Sequence, residues 1–157
     1  MSEADEPTIH EAVRFDSNVD DLDPRLWPYV IDRLLEAGAQ DAWVTPIVMK
    51  KGRPAFTVSA LCDRTCAEAV RDVLFRETST IGVRESVVRK HVLARRTAEV
   101  EVDGRRIGVK TATLHGEVVN RSVEWDDVAA ASAALGLSAK QVLDAARAAA
   151  ASTPDDA

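Results

Sequence analysis

The order in which the hydrophobic pattern changes along the first part of the chain restricts the fold more than any other feature of the sequence. Apolar residues alternate with polar ones in the segments expected to be strands, and they recur at helical spacing in those expected to be helices. The strand-like segments are 10–19, 41–50, 55–62 and 82–95, and the helical ones are 20–39 and 63–80. The resulting order, βαββαβ, predicts a ferredoxin-like sheet of four strands with both helices on one face.

Two further signals extend this core. Asp103 and Gly104 lie between two alternating runs, which predicts a second β-hairpin. The alanine-rich segment that follows is typical of two short helices, broken at Gly136 and with Ser138 capping the second. We therefore expect an α+β fold. Its expected parts are a disordered N-terminus (1–9), a ferredoxin-like core (10–96), an extension of one β-hairpin and a helical hairpin (97–151), and a disordered tail (152–157).

The composition limits the partners that the chain can have. With 157 residues, of which 46% are hydrophobic, the chain is long enough for one domain with a real core or for a compact domain with a small appendage, and it is short for two independent domains. A net charge of -6 and an aromatic content of only 4% argue against a nucleic-acid binder. No stretch is long and apolar enough for a membrane span, and the N-terminus is acidic where a signal peptide is basic. We expect a cytoplasmic protein.

The first candidate cluster follows the first predicted strand. Asn18, Asp20, Asp21 and Asp23 place four oxygen-bearing side chains within six residues. Such oxygen ligands suit a hard divalent cation, which in turn bridges phosphates. The alternative is structural, with one aspartate capping the helix and the others lying near its positive end.

The second cluster is a basic turn in an acidic chain. Lys50, Lys51 and Arg53 crowd the turn between two predicted strands. The turn is a candidate anion site, and the alternative is a solvated loop tip. The sequence leaves open whether this turn meets the acidic cluster of its own chain or of a neighbouring subunit.

The third cluster lies at the junction between the second helix and the fourth strand. It is rich in hydroxyls, small residues and guanidinium groups, which can wrap a phosphate with backbone amides and clamp it with arginine. In the alternative, Arg76 complements the helix dipole and Gly82 permits a tight turn. The members of the cluster are Arg76, Glu77, Thr78, Ser79, Thr80, Gly82 and Arg84.

A long, ordered set of motifs carries a resemblance to a known family. The stretch SNVDDLDPRLWPYVIDRLLEAGAQDAWVTPIVMKKGRPAFTVSALC, followed by FRETSTIGVR, resembles the C-terminal domain of the LarC-type nickel-insertion proteins, the cyclometallases of nickel-pincer nucleotide biosynthesis. The resemblance covers roughly residues 13–150, and RSVEWDDV is similar to a divergent form of the family's P-E-Y-E-D segment.

The resemblance implies a particular reaction. Proteins of this family insert Ni²⁺ into pyridinium-3,5-bisthiocarboxylic acid mononucleotide, forming Ni–C and Ni–S bonds, while CTP is consumed and pyrophosphate is released. The C-terminal domain is the part linked to CTP and a divalent cation. By this resemblance the chain is a CTP-dependent nickel insertase of the lyase class, with residues 10–96 as its nucleotide-binding core.

The resemblance also implies a role for each cluster. Two aspartates would hold Mg²⁺ or Mn²⁺, three cations of the basic turn would act catalytically by neutralising the triphosphate, and the remaining residues would bind phosphates or ribose. The expected metal ligands are Asp20 and Asp21, the expected catalytic residues are Lys50, Lys51 and Arg53, and the expected CTP-binding residues are Asn18, Lys50, Arg53, Arg76, Thr78, Thr80 and Arg84.

Two expectations concern partners, and one alternative function stays open. The family's larger N-terminal domain has no counterpart in the sequence, so we expect a separately encoded partner. Homo-oligomers are expected because family members assemble and a small sheet has exposed edges. The alternative is a non-catalytic nucleotide-sensing or regulatory module, because ferredoxin-like domains often bind small ligands without performing chemistry.

Overall fold

The computed structural model describes residues 7–152, and these form two compact units. The first unit comprises Ile9–Lys90, and the second runs from His91 to the last described residue, Ser152. Of the segments predicted as disordered, 1–9 and 152–157, residues 1–6 and 153–157 lie outside the described residues, whereas Thr8 and Ile9 lie in a strand and Ser152 lies in a helix. The first strand begins at Thr8, two residues before its predicted start.

The first unit has the predicted ferredoxin-like order. Its sheet has the strand order β2-β3-β1-β4, and β3 pairs antiparallel with both β1 and β2. The strands are β1 (Thr8–Val19), β2 (Ala39–Met49), β3 (Arg53–Cys62) and β4 (Arg84–Val92), and the helices are α1 (Trp27–Glu36) and α2 (Ala67–Glu77). The four-stranded core predicted from the hydrophobic pattern is therefore confirmed.

A short capped turn leads into the first helix. Asp23 caps a short 3-10 turn, Pro24–Leu26, by accepting a hydrogen bond from the backbone N–H of Arg25 at 3.0 Å. The α-helix proper starts only at Trp27, because Pro28 has no backbone N–H to donate inside a helix and is tolerated in the first turn.

The core of the first unit lies between one face of the sheet and the two helices. The strands contribute alternate residues to it, and each helix contributes its apolar stripe. The fully buried members with the largest side chains are Phe15, Val30, Leu34, Val58, Val70 and Leu74. Full burial of one such side chain stabilises the fold by about 1.5–3 kcal/mol, so a register shift that turned Phe15 or Val58 toward solvent would be costly.

The second unit has one strand more than its sequence predicted. Its sheet has the order β5-β6-β7, with antiparallel pairing throughout, and two helices complete the unit. The elements are β5 (Ala94–Val102), β6 (Arg105–Leu114), β7 (Glu117–Val123), α3 (Trp125–Leu135) and α4 (Ala139–Ser152). The predicted hairpin at Asp103 and Gly104 is confirmed, with φ of 48° and 77° at the two turn residues.

The helices of the second unit are capped as predicted. Gly136 ends α3 in the left-handed conformation, with φ of 66°. Ser138 accepts a hydrogen bond from the backbone N–H of Gln141, whose side chain accepts one in return from the N–H of Ser138, so the two residues form a capping box. Among residues 7–152, no helix is long and apolar enough to cross a bilayer.

Candidate active site at the end of the first strand

The turn between β2 and β3 contacts the residues that follow β1. Arg53 donates a hydrogen bond from Nη1 to Oδ2 of Asp20 at 3.0 Å. Antiparallel pairing brings Val19 opposite Phe56, so the exit of β1 and the start of β3 lie at the same end of the sheet. The basic turn and the acidic cluster therefore meet within one chain.

The fourth strand adds a second cation at this position. Arg84, the first residue of β4, donates from Nη2 to Oδ1 of Asn18 at 3.0 Å. The same oxygen accepts a hydrogen bond from Oγ1 of Thr57 at 2.8 Å. Because two donors fix the side-chain oxygen of Asn18, the amide nitrogen of Asn18 is turned away from both donors.

The loop between α2 and β4 supplies a third contact. Oγ of Ser79 donates a short hydrogen bond to Oδ1 of Asp21. Three segments distant in sequence thus converge on the end of β1. We call this group the β1-exit cluster, and its members are Asn18, Asp20, Asp21, Arg53, Ser79 and Arg84.

Three predicted site residues have no such contact. Lys50 and Lys51 are exposed in the turn before β3, and within the described part of the chain their ammonium groups have no hydrogen-bond or ion-pair partner. Lys51 has a φ of 65°. Arg76 pairs with Asp72 one turn earlier on α2, at 3.3 Å. The roles expected of these three side chains stay predictions.

The two predicted threonines make only internal hydrogen bonds. Oγ1 of Thr78 donates to the carbonyl of Leu74 at 2.6 Å and accepts from the N–H of Thr80 at 3.2 Å. Oγ1 of Thr80 lies 2.6 Å from Oγ of Ser17 and 2.9 Å from the carbonyl of Gly82. The sequence analysis missed Ser17, although a polar residue at a core-facing position of an alternating strand is a signal that could have found it.

The carboxylates of the β1-exit cluster are the candidate ligands for a divalent cation. Asp20 and Asp21 each use one oxygen in a hydrogen bond, with Arg53 and Ser79 respectively, and the other oxygen of each has no partner among the residues that the structure describes. No group of three or more His, Cys, Asp or Glu able to hold a metal exists within residues 7–152. Two carboxylates are nevertheless the usual protein share for Mg²⁺, which takes its other ligands from water and phosphate.

A second polar network lies on the face of the sheet opposite the helices. Asp16 accepts hydrogen bonds from Nη2 of Arg14 at 2.9 Å and from Oγ of Ser59 at 2.6 Å. Burial raises the pKa of Asp16, but the hydrogen bonds from Arg14 and Ser59 and the positive charges of Arg14 and Arg84 outweigh it, so the pKa lies below its usual value. The guanidinium of Arg14 also lies over the ring of Trp43, 5.5 Å from the centroid.

The fold and the site together define a ferredoxin-like α+β domain with arginines and carboxylates at one end of its four-stranded sheet. The sequence model of one protein family, described as nickel insertion protein, matches residues 1–143 of the chain. The chain belongs to the family of nickel insertion proteins, and the family predicted from the sequence is confirmed.

Three comparisons place the chain within this family. The pyridinium-3,5-bisthiocarboxylic acid mononucleotide nickel insertion protein of Nocardioides sp. is 60% identical over 126 residues, which are 80% of this chain and 32% of that protein. The protein of the same name from Thermotoga petrophila is 40% identical over 114 residues, 73% of this chain and 29% of that protein. The chain therefore spans about a third of the length of these curated relatives.

The third comparison is with a solved structure. It is LarC2, the C-terminal domain of a cyclometallase involved in the synthesis of the NPN cofactor of lactate racemase, in its apo form. The TM-score is 0.82 at 29% identity, and the match covers 91% of this chain and 99% of that one. The predicted fold class is confirmed by this match, including the sheet and helices of the second unit.

Proposed function

We propose that this chain is the CTP- and divalent-cation-binding component of nickel insertion into pyridinium-3,5-bisthiocarboxylic acid mononucleotide. The observation that carries the proposal is the β1-exit cluster, where Arg53 and Arg84 meet Asp20 and Asn18 at one end of the sheet. The unpaired ammonium groups of Lys50 and Lys51 belong to the turn that delivers Arg53. A triphosphate needs this combination of cations and metal-holding carboxylates.

The proposal gives a task to the two carboxylates of the cluster and to the cations of the basic turn. Asp20 and Asp21 hold Mg²⁺ or Mn²⁺ through their free oxygens, while Arg53 stays beside the triphosphate. A bound divalent cation supplies charge neutralisation at the phosphate oxygens. Lys50 and Lys51 stabilise the negative charge that develops on departing pyrophosphate, since nucleotidyl transfer is catalysed mainly by positioning and charge.

Arg84 and Asn18 act together as a positioning pair. Because Arg84 donates to Oδ1 of Asn18 at 3.0 Å, the guanidinium is oriented while its other N–H groups remain available to a phosphate or ribose oxygen. Arg76 extends the cationic surface from α2 once it is released from Asp72.

The nickel chemistry of the proposal extends beyond this chain. The curated relatives are about three times as long as the matched region, so we propose that the remaining part supplies the nickel or pincer-substrate site. This part belongs either to the same polypeptide or to the separately encoded partner predicted from the sequence. We also propose a cytoplasmic location and assembly into homo-oligomers, as the sequence predicts.

Isothermal titration tests the nucleotide site directly. CTP, ATP and GTP are titrated into the chain with Mg²⁺, with Mn²⁺ and with EDTA. We expect binding that prefers CTP and that is lost with EDTA. The variants Asp20→Asn and Asp21→Asn should lower the dependence on the cation, whereas Asp63→Asn, at the opposite end of the sheet, serves as the control.

Turnover separates the enzyme from the alternative module. Pyrophosphate release is measured after addition of the pincer precursor, Ni²⁺ and the remaining part of a relative. Release supports the proposal, and CTP binding without release under these conditions supports the nucleotide-sensing module. The absence of any nucleotide binding would contradict both.

A further inference from the structure

A buried hydrogen-bond network around Ser17 lies next to the β1-exit cluster. Ser17 occupies a core-facing position of β1, and only 1% of its surface is exposed. Its hydroxyl lies 2.6 Å from Oγ1 of Thr80 and donates to the carbonyl of Gly82 at 2.9 Å. These partners are more than 60 residues away in sequence, so the hydroxyl ties the C-terminal part of β1 to the loop at residues 78–82.

The hydroxyl hydrogens of Ser17, Thr78 and Thr80 are all used in hydrogen bonds within the protein. Ser17 and Thr80 have one hydroxyl hydrogen each, and these serve the carbonyl of Gly82 and the oxygen of the partner hydroxyl. The hydroxyl hydrogen of Thr78 goes to the carbonyl of Leu74 at 2.6 Å, at the end of α2. None of the three hydroxyls has a hydrogen left to donate to a ligand.

The hydrogen bonds of the backbone in the same loop alternate. The N–H of Thr80 donates to Oγ1 of Thr78 at 3.2 Å, and the N–H of Gly82 donates to Oγ1 of Thr80 at 3.3 Å. The N–H groups of Ser79 and Ile81, each of which precedes one of these donors, have no acceptor among the residues that the structure describes. The side chain of Ile81 is fully exposed, so this segment is open to solvent.

We infer that Ser17, Thr78 and Thr80 are positioning residues, which hold the loop so that the backbone N–H groups of Ser79 and Ile81 bind a phosphate oxyanion of the nucleotide. The inference rests on the proposed function. It replaces the direct contact with CTP that the resemblance implies for Thr78 and Thr80, because here the threonines act by holding the loop. Backbone N–H groups of a tight turn that have no internal acceptor can line a concave site for an anion. Ser79 is also the residue that contacts Asp21, so a shift of the loop would disturb the carboxylates as well.

A pair of matched serine variants tests the inference. Ser17→Ala and Ser59→Ala each remove one hydroxyl that is 1% exposed and lies on neighbouring strands of the same sheet. Oγ of Ser59 donates to Asp16, away from the loop. Titration with Mg²⁺ and CTP, and with inorganic tripolyphosphate, should show affinity about tenfold weaker for Ser17→Ala and unchanged for Ser59→Ala, although both variants melt at lower temperature.

Two variants of the loop threonine give a rescue experiment. Thr80→Val keeps the volume and removes the hydroxyl, whereas Thr80→Ser keeps the hydroxyl. We expect the loss of affinity in Thr80→Val and near wild-type affinity in Thr80→Ser. The double variant of Ser17→Ala with Thr80→Val should be no weaker than either single variant, because both break the same link.

Amide hydrogen exchange keeps this inference distinguishable from the proposed function. Exchange at Thr80 and Gly82 should become faster in Ser17→Ala and stay unchanged in Ser59→Ala, whether or not a ligand is present. Equal exchange and equal affinity in the two variants would overturn the inference while CTP binding stands. If the wild-type chain binds neither CTP nor tripolyphosphate, both the proposed function and the role of these N–H groups are wrong.

Discussion

The guanidinium of Arg53 donates to the carboxylate of Asp20 at 3.0 Å, across 33 residues of sequence. Both side chains belong to the first unit, so a single chain brings the basic turn and the acidic cluster together without help from a neighbouring subunit. The pair is exposed, with 61% of the Arg53 side chain accessible to solvent. Its contribution to stability is therefore small.

Replacement of Arg53 should separate binding from stability. For Arg53→Gln we expect a free energy of unfolding within about 1 kcal/mol of the wild type, because an exposed ion pair contributes little. Titration with Mg²⁺ and CTP should show affinity about tenfold lower, since one cation beside the triphosphate is lost. Arg64→Gln is the control, because Arg64 pairs with Glu11 at the opposite end of the sheet. A large loss of stability in Arg53→Gln would contradict this account of the turn.

A side chain at Gly38 should destabilise the first unit. Gly38 has a φ of +100°, and a Cβ there would lie 2.8 Å from Sγ of Cys66. We expect Gly38→Ala to lower the free energy of unfolding by about 2–4 kcal/mol, from backbone strain and overpacking together. Gly52→Ala has positive φ but no atom within 4 Å of the added methyl, so it should cost about 1–2 kcal/mol. Urea unfolding of both variants measures the difference, and equal losses would exclude the contact with Cys66.

The network around Asp16 should make stability depend on pH. The pKa of Asp16 is lowered in the folded chain, so its contribution is present above the unfolded value of about 3.9 and is lost as the pH falls toward the folded value. Asp16→Asn should therefore be less stable than the wild type at pH 7, and the difference should shrink below pH 4. Urea unfolding across this range measures it. A difference that is constant with pH would show that Asp16 contributes no ionisation energy.

The second unit should tolerate damage without loss of nucleotide binding. Asp127 on α3 accepts a hydrogen bond from the backbone N–H of Gly108 at 2.8 Å and so ties the helix to β6. Asp127→Ala leaves that N–H without its partner, and we expect a loss of about 1–3 kcal/mol in the stability of the second unit. Titration should show unchanged affinity for CTP, because the β1-exit cluster lies in the first unit. Weaker CTP binding in a folded Asp127→Ala variant would place part of the site in the second unit.

The parts of the fold that follow from local pattern could be predicted from the sequence. The four-stranded order, the cap at Asp23 and the turn at Asp103 and Gly104 all depend on residues close together in the chain. Strand β7 was missed because its turn, at His115 and Gly116, places a histidine at φ of 53°, where turn signals favour asparagine, aspartate or glycine. Its residues also alternate poorly, with Val118 and Val119 adjacent.

The pairings within the candidate site could not be derived in the same way. The residue types at Asp20, Arg53 and Arg84 were recognised as candidates, but their contacts depend on the register of β1 against β3 and on the path of the loop before β4. Register is decided by the burial of a whole strand face, which is a property of the folded sheet. The hydrogen bond from Ser17 to a loop more than 60 residues away is the clearest case.

The buried hydroxyl at Ser17 has a consequence for protein engineering. Its neighbours on the same side of β1, Phe15 and Val19, are apolar, so a design that considers only the apolar core would place valine at this position. The same exchange would detach the loop from its anchor. A design scored on apolar burial alone should therefore lose both heat resistance and ligand capture here, and the serine is best kept fixed in any redesigned core.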